Sequence, residues 1–130
     1  MTTTQAAAGE RPSRILICDD EPDIVAALKI YLESDGYETL TAANGKEALR
    51  IVSGGGVDLV LMDMRMPVMD GLEATKIIKE RHPELPVIAL TANAFGSDRD
   101  AAFDAGCDAF LPKPVSSNKC LDTIAEFLNK

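Results

Sequence analysis

Apolar residues in this chain form short unbroken runs, separated by longer stretches in which they recur every three or four positions. The unbroken runs lie at residues 15–18, 59–62, 87–90 and 109–111. Runs of this kind are typical of strands in a parallel sheet that is buried on both faces. The pattern therefore predicts strands that alternate with amphipathic helices.

Residues that favour helix ends fit this alternation. Pro22 suits the first turn of a helix, and Asn44 can cap a second one. Asp70 and Glu73 form a capping-box-like start for a third helix. A weakly alternating segment at residues 37–42 predicts a further, more exposed strand. The predicted helices lie at about residues 22–34, 44–52, 70–81 and 97–105, followed by a last helix with an apolar stripe at Leu121, Ile124, Ala125 and Leu128.

The predicted fold class is α/β. Strict alternation of strands and helices with right-handed crossovers indicates a flavodoxin-like (βα)5 fold, a doubly wound parallel five-stranded sheet in the order 2-1-3-4-5. Residues 13–130 would form this single domain, which is long enough to bury a core. Residues 1–12 are rich in Thr and Ala without an apolar period, so we expect a disordered leader there.

Polar residues follow the predicted strands at the edge where ligands of such sheets bind. In chain order they are Asp19, Asp20, Asp63, Thr91 and Lys113. The usual ligand site is the crevice beyond the strand ends, at the switch point between strands one and three. Crowded carboxylates repel one another unless they share a proton or a cation, and a hard divalent ion such as Mg²⁺ prefers oxygen ligands. Glu21, beside Pro22, is expected to favour the helix start rather than bind metal.

The same residues could support phosphorylation of an aspartate. An aspartate can act as a nucleophile and become an acyl phosphate. Phosphoryl transfer requires mainly in-line positioning and stabilisation of charge on the phosphoryl oxygens. A magnesium ion, the Lys113 ammonium and the Thr91 hydroxyl would supply those contacts around Asp63. The sequence therefore predicts phosphoryl chemistry centred on Asp63.

Composition limits the partners. The 130 residues carry a net charge of −8, which argues against a nucleic-acid surface because phosphate binding needs clustered Lys and Arg. No apolar run approaches the ~18 residues of a membrane span, so we expect a cytoplasmic protein without membrane contact.

Cys18, Cys107 and Cys120 lack CxxC spacing and are expected to be reduced thiols. The single histidine, His82, stands at a predicted helix end, which argues against a histidine-based catalytic triad.

Four segments carry a resemblance to a known family. They lie at residues 15–21, 61–71, 90–92 and 111–114, and their sequences are ILICDDE, LMDMRMPVMDG, LTA and LPKP. From about residue 14 to residue 128 the chain resembles a response-regulator receiver domain of two-component signal transduction. The resemblance includes both stand-alone regulators and the receivers of hybrid histidine kinases.

This resemblance implies a role for each site residue. Asp63 would be the phosphoacceptor, and Thr91 and Lys113 would contact the phosphoryl group. Thr91 and Phe110 would form the switch that responds to phosphorylation, and the peptide bond between Lys113 and Pro114 would be cis. The ligands of Mg²⁺, for which Mn²⁺ can substitute, would be Asp19, Asp20, Asp63 and the backbone carbonyl of Arg65.

The resemblance also implies partners. The phosphodonor would be a histidine kinase or a histidine phosphotransfer protein. A downstream protein would bind the face formed by the fourth helix, fifth strand and fifth helix. The chain would be a monomer or weak dimer, and a signalling module rather than an enzyme, although it would assist its own phosphorylation and dephosphorylation. Arg65 and Asn93 would border the route of the water that removes the phosphoryl group.

Two other functions are open. One is a Mg²⁺-dependent phosphohydrolase that works through an aspartyl phosphate, and the other is a pseudo-receiver that is never phosphorylated. Hydrolases of the haloacid dehalogenase type need a second acid two residues after the nucleophile, where this chain has Arg65. Pseudo-receivers typically lack one of the acids or the lysine, whereas this chain keeps all of them.

Overall fold

Five strands and five helices alternate along the chain in the computed structural model, which describes residues 12–92 and 97–128. The strands are β1 (Arg14–Cys18), β2 (Glu38–Ala42), β3 (Leu59–Asp63), β4 (Val87–Thr91) and β5 (Ala109–Pro112). The helices are α1 (Pro22–Ser34), α2 (Gly45–Ser53), α3 (Gly71–Arg81), α4 (Ser97–Ala105) and α5 (Ser117–Leu128). The predicted alternation is confirmed. Asn93 and residues 1–11, most of the predicted leader, lie outside the described residues.

The five strands form one parallel sheet in the order β2-β1-β3-β4-β5. Strand β1 pairs with β2 on one side and β3 on the other, so that Ile15 lies opposite both Thr39 and Leu59. The chain winds outward in one direction from β1 to β2 and in the other from β3 to β5. This topology places the switch point between β1 and β3 and confirms the predicted fold class.

Alternate side chains of the strands build two apolar layers, one on each face of the sheet. On one face, Leu16 and Val60 pack in a cluster that includes Ile78 of α3. On the other face, Ile17 and Leu61 pack in a cluster with residues of α1 and α5. All five residues of β3 and all five of β4 are buried, which explains why these strands are continuous apolar runs.

Side chains cap two of the helices as the sequence predicts. Asn44 Oδ1 accepts a hydrogen bond from Glu47 N at 3.0 Å at the start of α2. Asp70 Oδ1 accepts one from Glu73 N at 3.0 Å at the start of α3. Each bond satisfies an N–H group that has no partner within its own helix. Both helices therefore begin at defined residues, on the side of the sheet where the strands end.

The outer elements differ from the buried strands in their exposure. Strand β2 lies at one edge of the sheet, and of its five residues only Ala42 is buried. This exposure explains the weak apolar alternation of the segment and confirms the predicted exposed strand.

None of the helices in the described part of the chain is long and apolar enough to cross a membrane.

Candidate functional site

The ends of β1, β3 and β4 meet at one edge of the sheet and place polar residues in the same crevice. Strands β1 and β3 are paired in register up to their ends, so Asp19 follows β1 beside Asp63. Asp63 is paired in register with Leu90 of β4. Thr91 is the next residue after Leu90 and ends that strand. Asp19, Asp63 and Thr91 are all buried. Burial of two carboxylates at one position is electrostatically costly and is typical of a functional site.

Asp19, Asp20 and Asp63 form an acidic cluster. One carboxylate oxygen from each lies within 4.8 Å of the others. Asp19 Oδ1 accepts a hydrogen bond from Glu21 N at 2.9 Å, whereas Asp19 Oδ2 is buried and accepts none from the described residues, although the Lys113 ammonium is an ion-pair partner. Because three carboxylates this close repel one another, a shared cation lowers the electrostatic cost of the cluster. The cluster therefore fits a hard divalent ion such as Mg²⁺.

The environment of Asp63 makes its carboxylate more basic than that of an ordinary aspartate. Burial, with a contribution from the negative charge of Asp19, raises its pKa from 3.8 to about 6. Hydrogen bonds from Arg65 N, at 3.2 Å, and from the Lys113 ammonium limit this rise. At neutral pH Asp63 is therefore mostly ionised while retaining more nucleophilic character than a carboxylate with the usual pKa.

Lys113 brings the compensating positive charge from the end of β5. The Lys113–Pro114 peptide bond is cis, as predicted. The ammonium nitrogen Nζ lies 3.0 Å from Asp19 Oδ2, 3.2 Å from Glu21 Oε1 and 3.3 Å from Asp63 Oδ1. Burial alone would lower the pKa of Lys113, but the three carboxylates outweigh it and raise this pKa. The side chain therefore stays charged in a crevice where it is mostly buried.

Glu21 is a member of the site that the sequence argument missed. It occupies the N-cap position of α1, as expected for a residue that favours the helix start, but its side chain makes no capping hydrogen bond. Its carboxylate accepts a hydrogen bond from Lys113 Nζ instead. Lys113 was predicted to lie at this edge and Glu21 directly follows Asp19 and Asp20 in the chain, so a search for acid–lysine pairs across the edge could have found the contact.

Thr91 lines the same cleft as Asp63 and Lys113. The cleft has a volume of about 400 Å³. Its backbone carbonyl accepts a hydrogen bond from Lys113 N at 2.8 Å, which ties the ends of β4 and β5 together. The structure thus brings Thr91 to the predicted site. Its contact with a phosphoryl group and its role in a switch stay predictions.

Phe110 packs against α4. Its ring centroid is 5.9 Å from that of Phe103, and the two rings are at 87°. The guanidinium carbon of Arg99 lies 5.7 Å from the Phe110 centroid and 5.9 Å from the Phe103 centroid. These distances suit edge-to-face and cation–π contacts. The contacts connect β5 to α4, and the predicted switch role of Phe110 stays a prediction.

The Arg65 side chain pairs with an acid outside the cluster. Its Nη2 atom lies 2.8 Å from Asp98 Oδ1 in α4, and 79% of the arginine side chain is exposed. The Arg65 side chain therefore makes an ion pair with α4 while it stays largely exposed to solvent. The backbone of Arg65 stays close to Asp63 through their hydrogen bond. The ligand role of its carbonyl oxygen stays a prediction.

Gly71 is a second site residue that the sequence argument missed. A Cβ atom at this position would collide with the carbonyl oxygen of Asp63. The N–H of Gly71 also donates to Met64 O at 3.2 Å. Glycine therefore lets α3 begin directly behind the proposed acceptor, a close approach that only tertiary packing reveals.

The three cysteines form no disulfide with one another, and their reduced state stays a prediction. Cys18, Cys107 and Cys120 are free and buried. Burial, with added repulsion from nearby carboxylates, raises the pKa of Cys18 to about 12. A thiol that stays protonated is a poor nucleophile and a poor metal ligand. In the metal-free protein Cys18 therefore stays a protonated thiol.

Comparisons with known proteins agree with this geometry. The chain matches the response regulator receiver domain family over residues 15–125. It is 38% identical over 120 residues to the transcriptional regulatory protein GlrR of Escherichia coli K12, covering 92% of this chain and 27% of GlrR. It is 36% identical over 121 residues to the polar-differentiation response regulator DivK of Brucella anthropi, covering 90% of this chain and 97% of DivK.

A solved structure has the same architecture. It is the receiver domain of a Pseudomonas aeruginosa sensor histidine kinase, with a magnesium ion coordinated in the active site cleft. Its TM-score is 0.86 at 32% identity, covering 92% of this chain and 99% of that one. The chain spans about a quarter of the length of the first curated relatives. The family match over most of the sequence, on a sheet of this topology, shows that the protein belongs to the response-regulator receiver domains of two-component signal transduction.

Proposed function

We propose that Asp63 accepts a phosphoryl group from the phosphohistidine of a histidine kinase or phosphotransfer protein. The observation that carries this proposal is the position of the Asp63 carboxylate. One of its oxygens lies within 4.8 Å of oxygens of Asp19 and Asp20, and its Oδ1 atom lies 3.3 Å from the Lys113 ammonium. A nucleophile close to a cation site and a fixed ammonium is an arrangement that favours phosphoryl transfer.

In this proposal Mg²⁺ is held by Asp19, Asp20, Asp63 and the backbone carbonyl of Arg65, and Mn²⁺ can replace it. When bound, the ion supplies positive charge that offsets the repulsion between the carboxylates and the incoming phosphoryl oxygens. The convergence of three carboxylate oxygens within 4.8 Å of one another supports this assignment.

The transfer itself exchanges one bond to phosphorus for another. An Asp63 carboxylate oxygen forms a bond to phosphorus while the bond between phosphorus and the donor's imidazole nitrogen breaks, and the imidazole leaves with the electron pair. Lys113 pairs with a phosphoryl oxygen, and the Thr91 hydroxyl donates a hydrogen bond to another. The cleft shared by Asp63, Thr91 and Lys113 supports these roles.

We further propose that phosphorylation changes the binding of a downstream protein to the face formed by α4, β5 and α5. Movement of Thr91 toward the phosphoryl group would favour an inward position of Phe110, whose present contacts are with α4. Such a switch shifts a population between two states by the difference in their affinity for the phosphoryl group.

Intact-mass measurement after incubation with acetyl phosphate and Mg²⁺ tests the acceptor. The wild type is expected to gain one phosphoryl group, which hydroxylamine removes because the product is an acyl phosphate. Asp63→Asn is expected to gain none, and chelation of the metal should suppress the gain. Asp35→Asn, an exposed acid at the end of α1, is the matched control and should react like the wild type.

Three results would contradict the proposal. An adduct that survives in the Asp63→Asn variant would place the acceptor elsewhere. Continuous turnover of a generic phosphoester without a donor protein would favour a phosphohydrolase. No adduct from either acetyl phosphate or a phosphorylated histidine protein would favour a pseudo-receiver.

A further inference from the structure

The Lys113 ammonium has three carboxylate partners, and only two of them belong to the acidic cluster. An ammonium group carries three N–H donors, and three carboxylates surround this one at 3.0 to 3.3 Å. Asp19 and Asp63 belong to the acidic cluster, but Glu21 is outside it. The proposed metal site and the proposed transfer therefore leave the contact between Glu21 and Lys113 without an assigned role.

The three contacts differ in the cost of breaking them. The exposed fraction of the side chain is 0% for Asp19 and 7% for Asp63, but 59% for Glu21. A buried carboxylate that loses its cation is left unpaired in a medium of low dielectric constant, which is costly. An exposed carboxylate exchanges the cation for water at little cost. Glu21 is therefore the partner that Lys113 can release most easily.

We propose that Glu21 is a positioning residue that competes with the incoming phosphoryl group for Lys113. This inference rests on the proposed role of Asp63 as acceptor. Before the reaction, Glu21 holds the ammonium toward the mouth of the cleft. When the anionic phosphodonor enters, Lys113 exchanges the Glu21 carboxylate for a phosphoryl oxygen. No covalent bond changes in this exchange, so its effect belongs to donor binding and not to the chemical step.

Glu21→Gln removes the competing charge and keeps the shape of the side chain. The acetyl phosphate concentration that gives half the maximal rate is expected to fall about two- to fivefold, the factor that corresponds to one exposed ion pair. The maximal rate at saturating donor should change little. A purely structural role for Glu21 would instead change the melting temperature or the maximal rate.

Two further variants make the test specific. Asp23→Asn removes an equal charge from the first turn of α1, and Asp23 makes no ion pair with Lys113 in the described structure. The Asp23→Asn variant measures how far the loss of any nearby negative charge lowers the half-maximal concentration of the anionic donor. Glu21→Gln must lower that concentration further. In a Lys113→Gln background, Glu21→Gln should have no additional effect, because the partner for which it competes is absent.

Different results would contradict the role of Glu21 and the role of Asp63. Equal effects of Glu21→Gln and Asp23→Asn, or an effect that persists in the Lys113→Gln background, overturn the role of Glu21 alone. A wild type that gains no phosphoryl group at Asp63 overturns both.

Discussion

At the scale of single residues, Asp63 is governed by opposing effects of burial and charge. Its pKa of about 6 in the folded protein exceeds the ordinary value of 3.8. Between these two pH values the folded state binds a proton that the unfolded state has lost. The contribution of this carboxyl group to stability therefore falls as the pH rises through that interval and is constant above it.

We predict that Asp63→Asn stabilises the metal-free protein at pH 7. The expected gain in the free energy of unfolding is on the order of 3 kcal/mol, since the pKa rises by about two units and each unit corresponds to about 1.4 kcal/mol. The gain should shrink as the pH falls from about 6 to about 4, where the native carboxyl group becomes protonated. Urea unfolding in the presence of a chelator at several pH values measures it.

Asp35→Asn is the control for removal of a carboxylate, because this side chain is exposed at the far end of α1. Its effect should be small at each pH. Equal stability of the wild type and the Asp63→Asn variant at pH 7 would contradict the view that burial strains this carboxylate.

The residue scale also separates what sequence can predict from what it cannot. Asp19, Asp20 and Asp63 were found because each follows an apolar run, which is a local pattern. The Glu21–Lys113 contact joins residues separated by 92 positions, and no local pattern predicts the pairing of particular side chains over that distance.

At the scale of elements, α4 buries only small side chains against the rest of the domain. Its buried residues are the small Ala102 and Ala105, which offer little apolar area. The larger contacts come from Phe103, 41% exposed, and Arg99, both of which pack on Phe110. The aromatic cluster therefore contributes a large share of the attachment of α4 to β5.

We predict that Phe103→Ala loosens α4 more than it destabilises the whole domain. An aromatic pair contributes about 0.5–1.5 kcal/mol beyond its buried area, and the loss should fall mainly on local opening. Amide hydrogen exchange within α4 should accelerate several-fold, while exchange in β3 should change much less.

Ile30→Ala is a suitable comparison, because Ile30 is a large apolar residue of α1 that is 67% exposed. It should leave exchange in α4 unchanged. Uniform acceleration in every element of the Phe103→Ala variant would mean that α4 does not open independently.

At the scale of the whole molecule, the site and the fold stabilise one another. The side chains of the acidic cluster and Lys113 come from the ends of different strands, and their positions exist only in the folded sheet. A ligand that binds the folded state alone stabilises it by mass action. Binding at this crevice must therefore raise the stability of the entire domain.

We predict that Mg²⁺ raises the melting temperature of the unphosphorylated protein. The expected stabilisation is about 2.7 kcal/mol at a concentration one hundred times the dissociation constant. Asp20→Asn should abolish most of it, and since Asp20 is exposed the core should not be disturbed. Asp35→Asn should retain the full effect, and monovalent salt at equal ionic strength should not reproduce it. Thermal unfolding with increasing Mg²⁺ measures these differences, and equal responses of the two variants would exclude the acidic cluster as the binding site.

The sequence by itself determined the order of the elements, the doubly wound sheet and the residues at the strand ends. Those features follow from local periodicity and helix-end preferences. Both depend only on residues that are close together in the sequence. Only the tertiary structure decided that Glu21 contacts Lys113, that α3 starts against Asp63, and that Phe110 packs on α4. It also set the raised pKa of Asp63, because burial and charge interactions depend on distances in space between residues that are far apart along the chain.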